Sequence, residues 1–178
     1  DLESILRYKD SPEGFLWVSL EQATENEIDL ILNQSFHFHP LVIEDCLSPC
    51  YQTSKLDDFS DYVFLIAHAI AAKPNLEELE TLELDFFLGE NFLVTCYTDA
   101  VMPPVQKTWD LLGKDTRIAR NGPDFLCHTL LDCLVDEYMP LIDKMENEVE
   151  WLEDSVLEKP EPKTLAKLLS LKHAIMSL

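Results

Sequence analysis

Short stretches of aromatic and β-branched residues mark the first half of the chain. Continuous apolar runs of this kind are typical of strands buried on both faces, and strict alternation is typical of half-buried strands. Gly89-Glu90-Asn91 predicts a hairpin turn between two of them, and Pro74-Asn75 favours another hairpin further back. We therefore expect a largely antiparallel sheet. The predicted strands are Phe15–Leu20, Tyr62–Ala67, Leu82–Leu88 and Phe92–Tyr97.

Elsewhere apolar residues recur every three or four positions, which is the spacing of an amphipathic helix. Thr24 followed by Glu27 fits a capping box and predicts a helix over residues 24–36. Pro40 suits the first turn of a short helix that ends at Leu47, with His39 as an indifferent cap and with Leu41, Val42 and Ile43 expected to be buried. Pro103-Pro104 opens a further helix through Leu112. Helices that cover a sheet indicate an α+β fold.

The last third of the chain is predicted to be helical. After the break at Asn121-Gly122-Pro123, a long helix runs from Asp124 to about Glu158, and Pro140 is expected to kink or loosen one of its turns. Lys159–Pro162 forms a tight turn before a second helix, so residues 122–178 predict an antiparallel helical hairpin beside a domain of residues 1–121. A heptad seam is expected on the first helix, at Leu131, Val135, Tyr138, Ile142, Met145, Val149, Leu152 and Val156, and the second helix carries Leu165, Leu168, Leu169, Leu171 and Ile175.

The charge of the chain limits its partners. Thirty-four acidic residues against thirteen Lys and Arg give a net charge of −21, which argues against a nucleic-acid surface. Such a charge is compatible with a solvated surface or with the gathering of cations. No apolar run reaches the roughly 18 residues of a membrane span, and no signal peptide is visible. We interpret the chain, which starts without Met and stops inside a helical pattern, as a fragment of a longer protein. Its five cysteines predict buried free thiols in a reducing compartment.

Two pairs of acids are candidate metal ligands. Glu44 and Asp45 lie about 100° apart on the short helix, so they line an edge that another surface can complete. Asp132 and Asp136 share one face of the long helix among apolar neighbours, which invites a cation or a partner. Mg²⁺ prefers oxygen ligands and keeps several waters while it contacts one or two carboxylates. The alternative is a solvated helix face, which we favour for the acids from Asp143 onward.

Other chemistries find less support in the sequence. His37, His39, Cys46 and Cys50 suit zinc by type, but their spacing matches no standard finger. We expect structural histidines and a Cys46 thiol that faces the core with Val42. There is no glycine-rich phosphate loop, nucleophile elbow or metalloprotease helix, so an enzyme is not expected. Turnover that depends on His37 and His39 would revive that alternative.

In the order and spacing of these elements, the chain resembles the cytoplasmic N-terminal domain of the CorA family of divalent-cation channels. The resemblance implies an α/β/α sandwich with a mixed sheet, followed by two long helices and then a stalk helix. It also implies a homopentamer that sits in the membrane and carries Mg²⁺, and sometimes Co²⁺ or Ni²⁺, into the cytoplasm. The matching segments are His39–Asp45, Lys55–Phe59 with Tyr62–Phe64, Leu82–Leu88 with Phe92–Val94, Leu131–Tyr138, and Leu152–Pro160.

The resemblance also implies a regulatory role for some of the acids. Family members bind divalent ions between neighbouring cytoplasmic domains and so hold the pore shut, and the matching positions are Glu44, Asp45 and Asp132. Asp136 is added on helix geometry alone. We thus expect regulatory Mg²⁺, with Co²⁺ possible, in a chain that is cytoplasmic while the full-length protein lies in the cell inner membrane. The stalk, the spans and the Gly-Met-Asn pore motif lie outside this sequence, and we expect a monomer or weak dimer.

Two alternatives remain beside this hypothesis. The zinc-transporting branch of the same superfamily lacks the acidic pair, so Glu44 and Asp45 favour the Mg²⁺ branch. A soluble acidic interaction module, whose helical hairpin binds a partner, belongs to another functional class. The family often has Gln-Arg-Pro-Lys where this chain has Gln52-Thr53-Ser54-Lys55, so that loop is expected to differ.

Overall fold

The computed structural model describes residues 2–9, 14–48, 52–71, 79–158 and 162–176. A five-stranded mixed sheet lies at its centre, built from β1 (Leu16–Glu21), β2 (Lys55–Asp58), β3 (Tyr62–Ile70), β4 (Thr81–Gly89) and β5 (Phe92–Tyr97). The strand order is β1-β5-β4-β3-β2. β1 pairs with β5 in parallel, whereas the β4–β5 and β2–β3 pairs are antiparallel.

Four of these strands and one turn were predicted. The hairpin turn between β4 and β5 is confirmed at Glu90 and Asn91. The strand β2 is an addition, because its sequence of Lys, Leu, Asp and Asp lacks a strand-like composition. The predicted turn at Pro74-Asn75 lies outside the described residues, although β3 and β4 are hydrogen-bonded neighbours.

The predicted helices are present, and two short ones are additions, one at the N-terminus and one after Leu112. The capping box is confirmed, since Thr24 Oγ1 accepts from the Glu27 N–H and the Glu27 carboxylate accepts from the Thr24 N–H. The helix continues from there as a π-helical segment, Asp29–Ser35, in which the Phe36 N–H donates to the Ile31 carbonyl at 3.0 Å. The helices are α1 (Leu2–Lys9), α2 (Glu25–Ile28), α3 (Pro40–Leu47), α4 (Pro103–Leu112), α5 (Thr116–Arg120), α6 (Pro123–Glu158) and α7 (Pro162–Met176).

One face of the sheet packs against α2, the π-helical segment and α3. The aromatic ring of Phe38 lies at the centre of this layer, stacked on Phe87 with ring centroids 4.3 Å apart. Burial of apolar surface is the main favourable term in such a layer. Its buried members are Val18, Ile28, Ile31, Leu32, Phe36, Phe38, Val42, Cys46, Phe64, Ile66, Phe87, Val94 and Cys96.

The opposite face of the sheet is covered by α4. Residues alternate between the faces along a strand, so Trp17 and Thr95 point away from the layer that holds Val18 and Val94. The Trp17 indole N–H donates to Thr95 Oγ1 at 3.2 Å, and its ring stacks on Trp109 of α4 with centroids 4.1 Å apart. Helices therefore lie on both faces of a mixed sheet, and the predicted α/β/α class is confirmed.

The chain divides into two compact units. The first comprises Asp1–Ala69 and Leu82–Cys133, and the second comprises Ile70–Thr81 and Leu134–Leu178. The division lies inside α6, whose first turns bury Leu126 and Leu130 completely. The functional division into residues 1–121 and 122–178 stays a prediction.

In the second unit, α6 and α7 pack against each other. Lys167 of α7 donates to Glu148 at 3.3 Å and lies 4.0 Å from the ring centre of Trp151. The helix α6 continues through Pro140 without interruption. Within the described residues, no helix is both long enough and apolar enough to cross a membrane. The buried cluster of this unit consists of Ile70, Leu141, Met145, Leu152, Leu171 and Ala174, with Leu79 and Tyr138 packed against it.

The predicted heptad seam is only partly buried. Met145 and Leu152 lie in the core of the second unit and Tyr138 packs against it, so every second seam position is covered. The prediction is wrong for the intervening positions, because the helix has one buried stripe, which includes Leu141, and not a continuous coiled-coil seam. The exposed seam residues of the second unit are Val135, Ile142, Val149 and Val156, and on α7 the exposed ones are Leu165, Leu168, Leu169 and Ile175.

Candidate metal centre

The helix α3 is fixed at its N-terminus by His39. Its Nδ1 accepts a hydrogen bond from the Leu41 N–H at 3.2 Å, so His39 caps the helix, contrary to its expected indifference. Its own backbone N–H donates to the Tyr62 hydroxyl at 2.9 Å, and its ring stacks on Phe59. Proline at the first helical position completes this start because its missing N–H would have had no partner there. The beginning of α3 is thereby tied to the start of β3.

Only one stripe of α3 faces the sheet. Val42 and Cys46, four residues apart, are buried in the core, which confirms the expectation for the Cys46 thiol. Leu41 is 63% exposed and Ile43 only partly buried, so the expectation that all three apolar residues are buried is wrong for Leu41. This orientation leaves Glu44 exposed to solvent and Asp45 at the margin of the helix–sheet contact.

Asp45 is paired with a lysine of the same chain. Lys55 Nζ lies 2.7 Å from Asp45 Oδ2 and 3.2 Å from Asp57 Oδ2. Lys55 and Asp57 stand opposite Ile66 and Phe64 in the β2–β3 register, so both project towards the face that α3 covers. The hydrogen bond to Asp45 raises the pKa of Lys55, and partial burial opposes that rise.

Beneath this ion pair lies a buried carboxyl group. Asp85 stands directly opposite Cys96 in the β4–β5 register, on the same face, and its neighbour across the layer is Cys46. Burial raises the pKa of Asp85 to about 7, and the nearby carboxylates of Glu83 and Asp45 add to the rise. The Cys46 thiol donates towards Asp85, which lowers that pKa. The pKa of Cys46 itself is raised, first by its contact with Cys96 and then by burial.

The segment that leads into β2 is held by a second polar contact. The Ser54 hydroxyl lies 3.0 Å from Nδ1 of the buried His68, and Glu83 accepts from the Gln52 N–H at 3.1 Å. Burial lowers the pKa of His68, with Glu83 opposing that change from 3.7 Å. Residues 52–54 are thus anchored to β3 and β4 just before Lys55.

The other two candidate ligands lie on α6. Asp132 and Asp136 are both exposed, Asp132 in the first compact unit and Asp136 in the second. Across the part of the chain that the structure describes, no group of three or more His, Cys, Asp or Glu side chains is placed to hold a metal ion. Glu44, Asp45, Asp132 and Asp136 are therefore not gathered into a closed set, and their role as ligands stays a prediction.

The histidines near α3 have structural contacts. His37 has a positive φ of 58° and places Nδ1 2.9 Å from the Asn33 carbonyl oxygen, and His39 caps α3. Cys50 lies outside the described residues. Among the described residues, His37, His39 and Cys46 form no zinc centre.

The donor set around α3 fits a hard divalent cation that retains much of its water. Glu44 offers an exposed carboxylate, and Asp45 offers one whose side chain is 23% exposed and shared with Lys55. Carboxylate oxygens are suitable ligands for Mg²⁺, which needs few of them when water fills the remaining positions. As ligands, these two carboxylates would leave most of the positions around such an ion to water.

Two residues of this region escaped prediction from the sequence. Lys55 enters the sequence prediction only as part of a segment that resembles the family, although the alternation of Lys55, Leu56 and Asp57 places Lys55 and Asp57 on one face of a strand. Asp85 was placed in a strand, but its burial beneath α3 depends on strand pairing that the sequence does not display. Its position among the aromatic residues of β4 was the available signal.

Comparisons with known proteins agree with this architecture. The family model of the CorA-like Mg2+ transporter protein matches residues 12–178. YfjQ of Bacillus subtilis is 34% identical over 174 residues, which cover 98% of this chain and 52% of that protein. The cobalt/magnesium transport protein CorA of Thermotoga maritima is 30% identical over 180 residues, which cover 100% of this chain and 50% of that protein.

A solved structure supports the fold independently. The soluble domain of CorA from Methanocaldococcus jannaschii superposes with a TM-score of 0.70 over 92% of this chain and 64% of that chain, at 17% identity. The chain spans about half the length of the curated relatives it matches. The family is one of transporters, in agreement with the prediction that the chain is not an enzyme. Because the family model covers nearly the whole sequence, the chain belongs to the CorA-like Mg²⁺ transporter family.

Proposed function

We propose that this chain is the divalent-cation-sensing regulatory domain of a CorA-like magnesium and cobalt transporter. The observation that carries the proposal is the acidic edge of α3, where Glu44 is exposed and Asp45 is held at the margin of the core. Family membership supports the assignment, and the relative from Thermotoga maritima is named for cobalt and magnesium transport. Residues 122–178 would connect this domain to a stalk and a membrane part.

The proposed sensor works between copies of the chain. Glu44, Asp45 and Asp132, and on helix geometry also Asp136, contribute carboxylates that a neighbouring copy in a homopentamer completes. A bound Mg²⁺ screens these acids and joins the copies, and its loss lets them repel. The ion therefore shifts the population between a closed and a loosened ring because it binds the closed arrangement better. Few protein ligands and many waters imply an affinity of about millimolar.

The proposed function leads us to expect a particular oligomeric state for the isolated chain and a particular location for the complete transporter. The 178-residue chain alone is expected to be a monomer or weak dimer, because its own acids form only part of a site. The complete transporter would lie in the cell inner membrane with this domain in the cytoplasm. A zinc-transporting relative would share the fold, so the same experiment must include Zn²⁺.

The experiment is limited proteolysis of the full-length protein that carries this chain, with Mg²⁺ varied at constant ionic strength. Chymotrypsin is suitable because the variants neither create nor remove its sites. We expect wild type to be protected at millimolar Mg²⁺, and Asp45→Asn/Asp132→Asn to require at least about tenfold more, since each lost carboxylate removes a charged oxygen ligand. The matched control, Asp143→Asn/Glu146→Gln, removes two exposed acids of α6 and should respond as wild type.

The outcomes separate the candidate functions. Equal protection of wild type and Asp45→Asn/Asp132→Asn would show that the acids are a solvated face and that the sensor assignment is wrong. Protection by Zn²⁺ at micromolar concentration without protection by Mg²⁺ would favour the zinc-transporting branch. Protection lost equally in the Asp143→Asn/Glu146→Gln control would mean that overall charge, and not these ligands, causes the effect.

A further inference from the structure

The amino group of Lys55 is already hydrogen-bonded to Asp45, one of the carboxylates proposed to bind the ion. Its Nζ lies 2.7 Å from Asp45 Oδ2, which is the distance of a charge-assisted hydrogen bond. The same nitrogen lies 3.2 Å from Asp57 Oδ2 and 5.5 Å from the ring centre of Phe64. The group therefore lies among contacts from α3, β2 and β3.

The position of this amino group follows from the sheet. Lys55 stands opposite Ile66 in the β2–β3 register, so its side chain must leave the strand on the face where α3 and Asp45 lie. The Phe64 ring lies near its end, and 35% of the Lys55 side chain remains exposed. The side chain therefore ends between two carboxylates that both lie within ion-pair distance of its amino group.

We infer that Lys55 is a tethered competitor for divalent cations at Asp45 and so sets the Mg²⁺ concentration at which the sensor fills. This inference rests on the function proposed above. An ammonium group and a metal ion use the same carboxylate lone pairs, and both are positive, so they exclude each other from Asp45 Oδ2. The ion must displace the ammonium before it can bind that oxygen directly.

Asp57 can hold the ammonium group of Lys55 when an ion displaces it from Asp45. It already lies within 3.2 Å of Lys55 Nζ and its side chain is 44% exposed, so Lys55 stays paired when an ion takes Asp45. Asp45 would then exchange the ammonium for the ion while Lys55 keeps its pair with Asp57, so neither charge is left unpaired. A tethered group also acts at a high effective concentration, which a free monovalent ion must exceed to compete. The arrangement therefore favours divalent over monovalent cations.

The test uses the full-length protein in the same Mg²⁺ titration with chymotrypsin, which does not cut at lysine. It cuts slowly after methionine, so the Lys167→Met control below also introduces one such site. In Lys55→Met the competitor is removed with little change in length, and we expect half-protection at about tenfold lower Mg²⁺, equivalent to about 1.4 kcal/mol. In Lys55→Arg the planar fork binds carboxylates more firmly, so half-protection should require about two- to threefold more Mg²⁺. Lys167→Met removes the same charge from α7 and should match wild type.

The direction of the shift decides the inference. A merely structural Lys55 would leave the folded Lys55→Met variant with an unchanged or higher Mg²⁺ requirement, and that result would overturn the competition. If circular dichroism shows that Lys55→Met does not fold, the Lys55→Arg variant decides. A Mg²⁺ requirement of Lys55→Arg that is unchanged or lower would equally overturn the inference. If the sensor proposal is wrong, wild type shows no protection by Mg²⁺, or Asp45→Asn/Asp132→Asn behaves as wild type. If only the competition by Lys55 is wrong, wild type is still protected and this double variant still requires more Mg²⁺.

Discussion

Asp85 places a carboxyl group inside the layer beneath α3, and this makes the stability of the chain depend on pH. Only 4% of the residue is exposed, and its Oδ1 has no hydrogen-bond partner among the described residues. Burial, with the carboxylates of Glu83 and Asp45, raises its pKa to about 7. The perturbation we choose is Asp85→Asn, which keeps the shape of the neutral side chain and removes its titration.

The sign and size of the effect follow from proton linkage. The ordinary pKa of the group is 3.8, so between that pH and about 7 the folded chain holds a proton that the unfolded chain has lost. The free energy of unfolding therefore falls as pH rises, by about 1.4 kcal/mol per unit and at most about 4 kcal/mol in all. About 2.5 kcal/mol of this loss falls between pH 5 and pH 8, after which the curve levels off.

The assay is urea unfolding of wild type and Asp85→Asn at pH 5 and pH 8, followed by near-ultraviolet circular dichroism. The stacked Trp17 and Trp109 lie in the same compact unit as Asp85 and report its loss of structure. We expect wild type to lose about 2.5 kcal/mol more than Asp85→Asn between the two pH values. Asp110→Asn removes the same charge from an exposed position and controls for general repulsion in so acidic a chain. Parallel pH profiles of wild type and Asp85→Asn would refute the reasoning, because Asp85 would then be ionised in the folded chain.

Two further substitutions test the packing that supports this layer. A Cβ at residue 89 would overlap the ring of Phe92, so Gly89→Ala is expected to cost about 1–3 kcal/mol in urea unfolding, and a neutral result would contradict the tight turn. Phe38 is buried between aromatic rings that include Phe36 and Phe87, and Phe38→Ala should cost about 3–5 kcal/mol with a clear fall in melting temperature. A cost below about 1 kcal/mol would show that this ring is not central to the core.

The sequence predicted those elements whose own composition specifies them. Phe92–Tyr97 is a strand with the predicted bounds because a continuous apolar run is closed on one side by a turn. Lys55–Asp58 could not be found in the same way, since its strand conformation comes from pairing with β3. The capping box located the start of α2, but the change to π-helical bonds beyond Ile28 has no local pattern that distinguishes it from an ordinary helix.

Periodicity also failed to say which side of a helix is covered. The seam along α6 has the spacing of a coiled coil, yet one stripe of it is buried and the other faces solvent. A heptad pattern specifies where apolar side chains point but not how many helices pack against them. Tertiary packing decides that point, and the sequence of α6 alone does not contain it.

The sequence predicts which acids belong to the candidate site, but it does not predict the ion pair between Asp45 and Lys55. Glu44 and Asp45 could be selected from their place on a short apolar helix, whereas the partner of Asp45 depends on the register of β2. Lys55 reaches Asp45 because it stands opposite Ile66, while its neighbour Leu56 takes the other face and is 64% exposed. A slip of one residue in this register would exchange the two and point the amino group away from α3. The strand that was hardest to predict is thus the one that brings a competing charge to the acids, so the Mg²⁺ threshold proposed here depends on β2–β3 pairing as much as on the ligands.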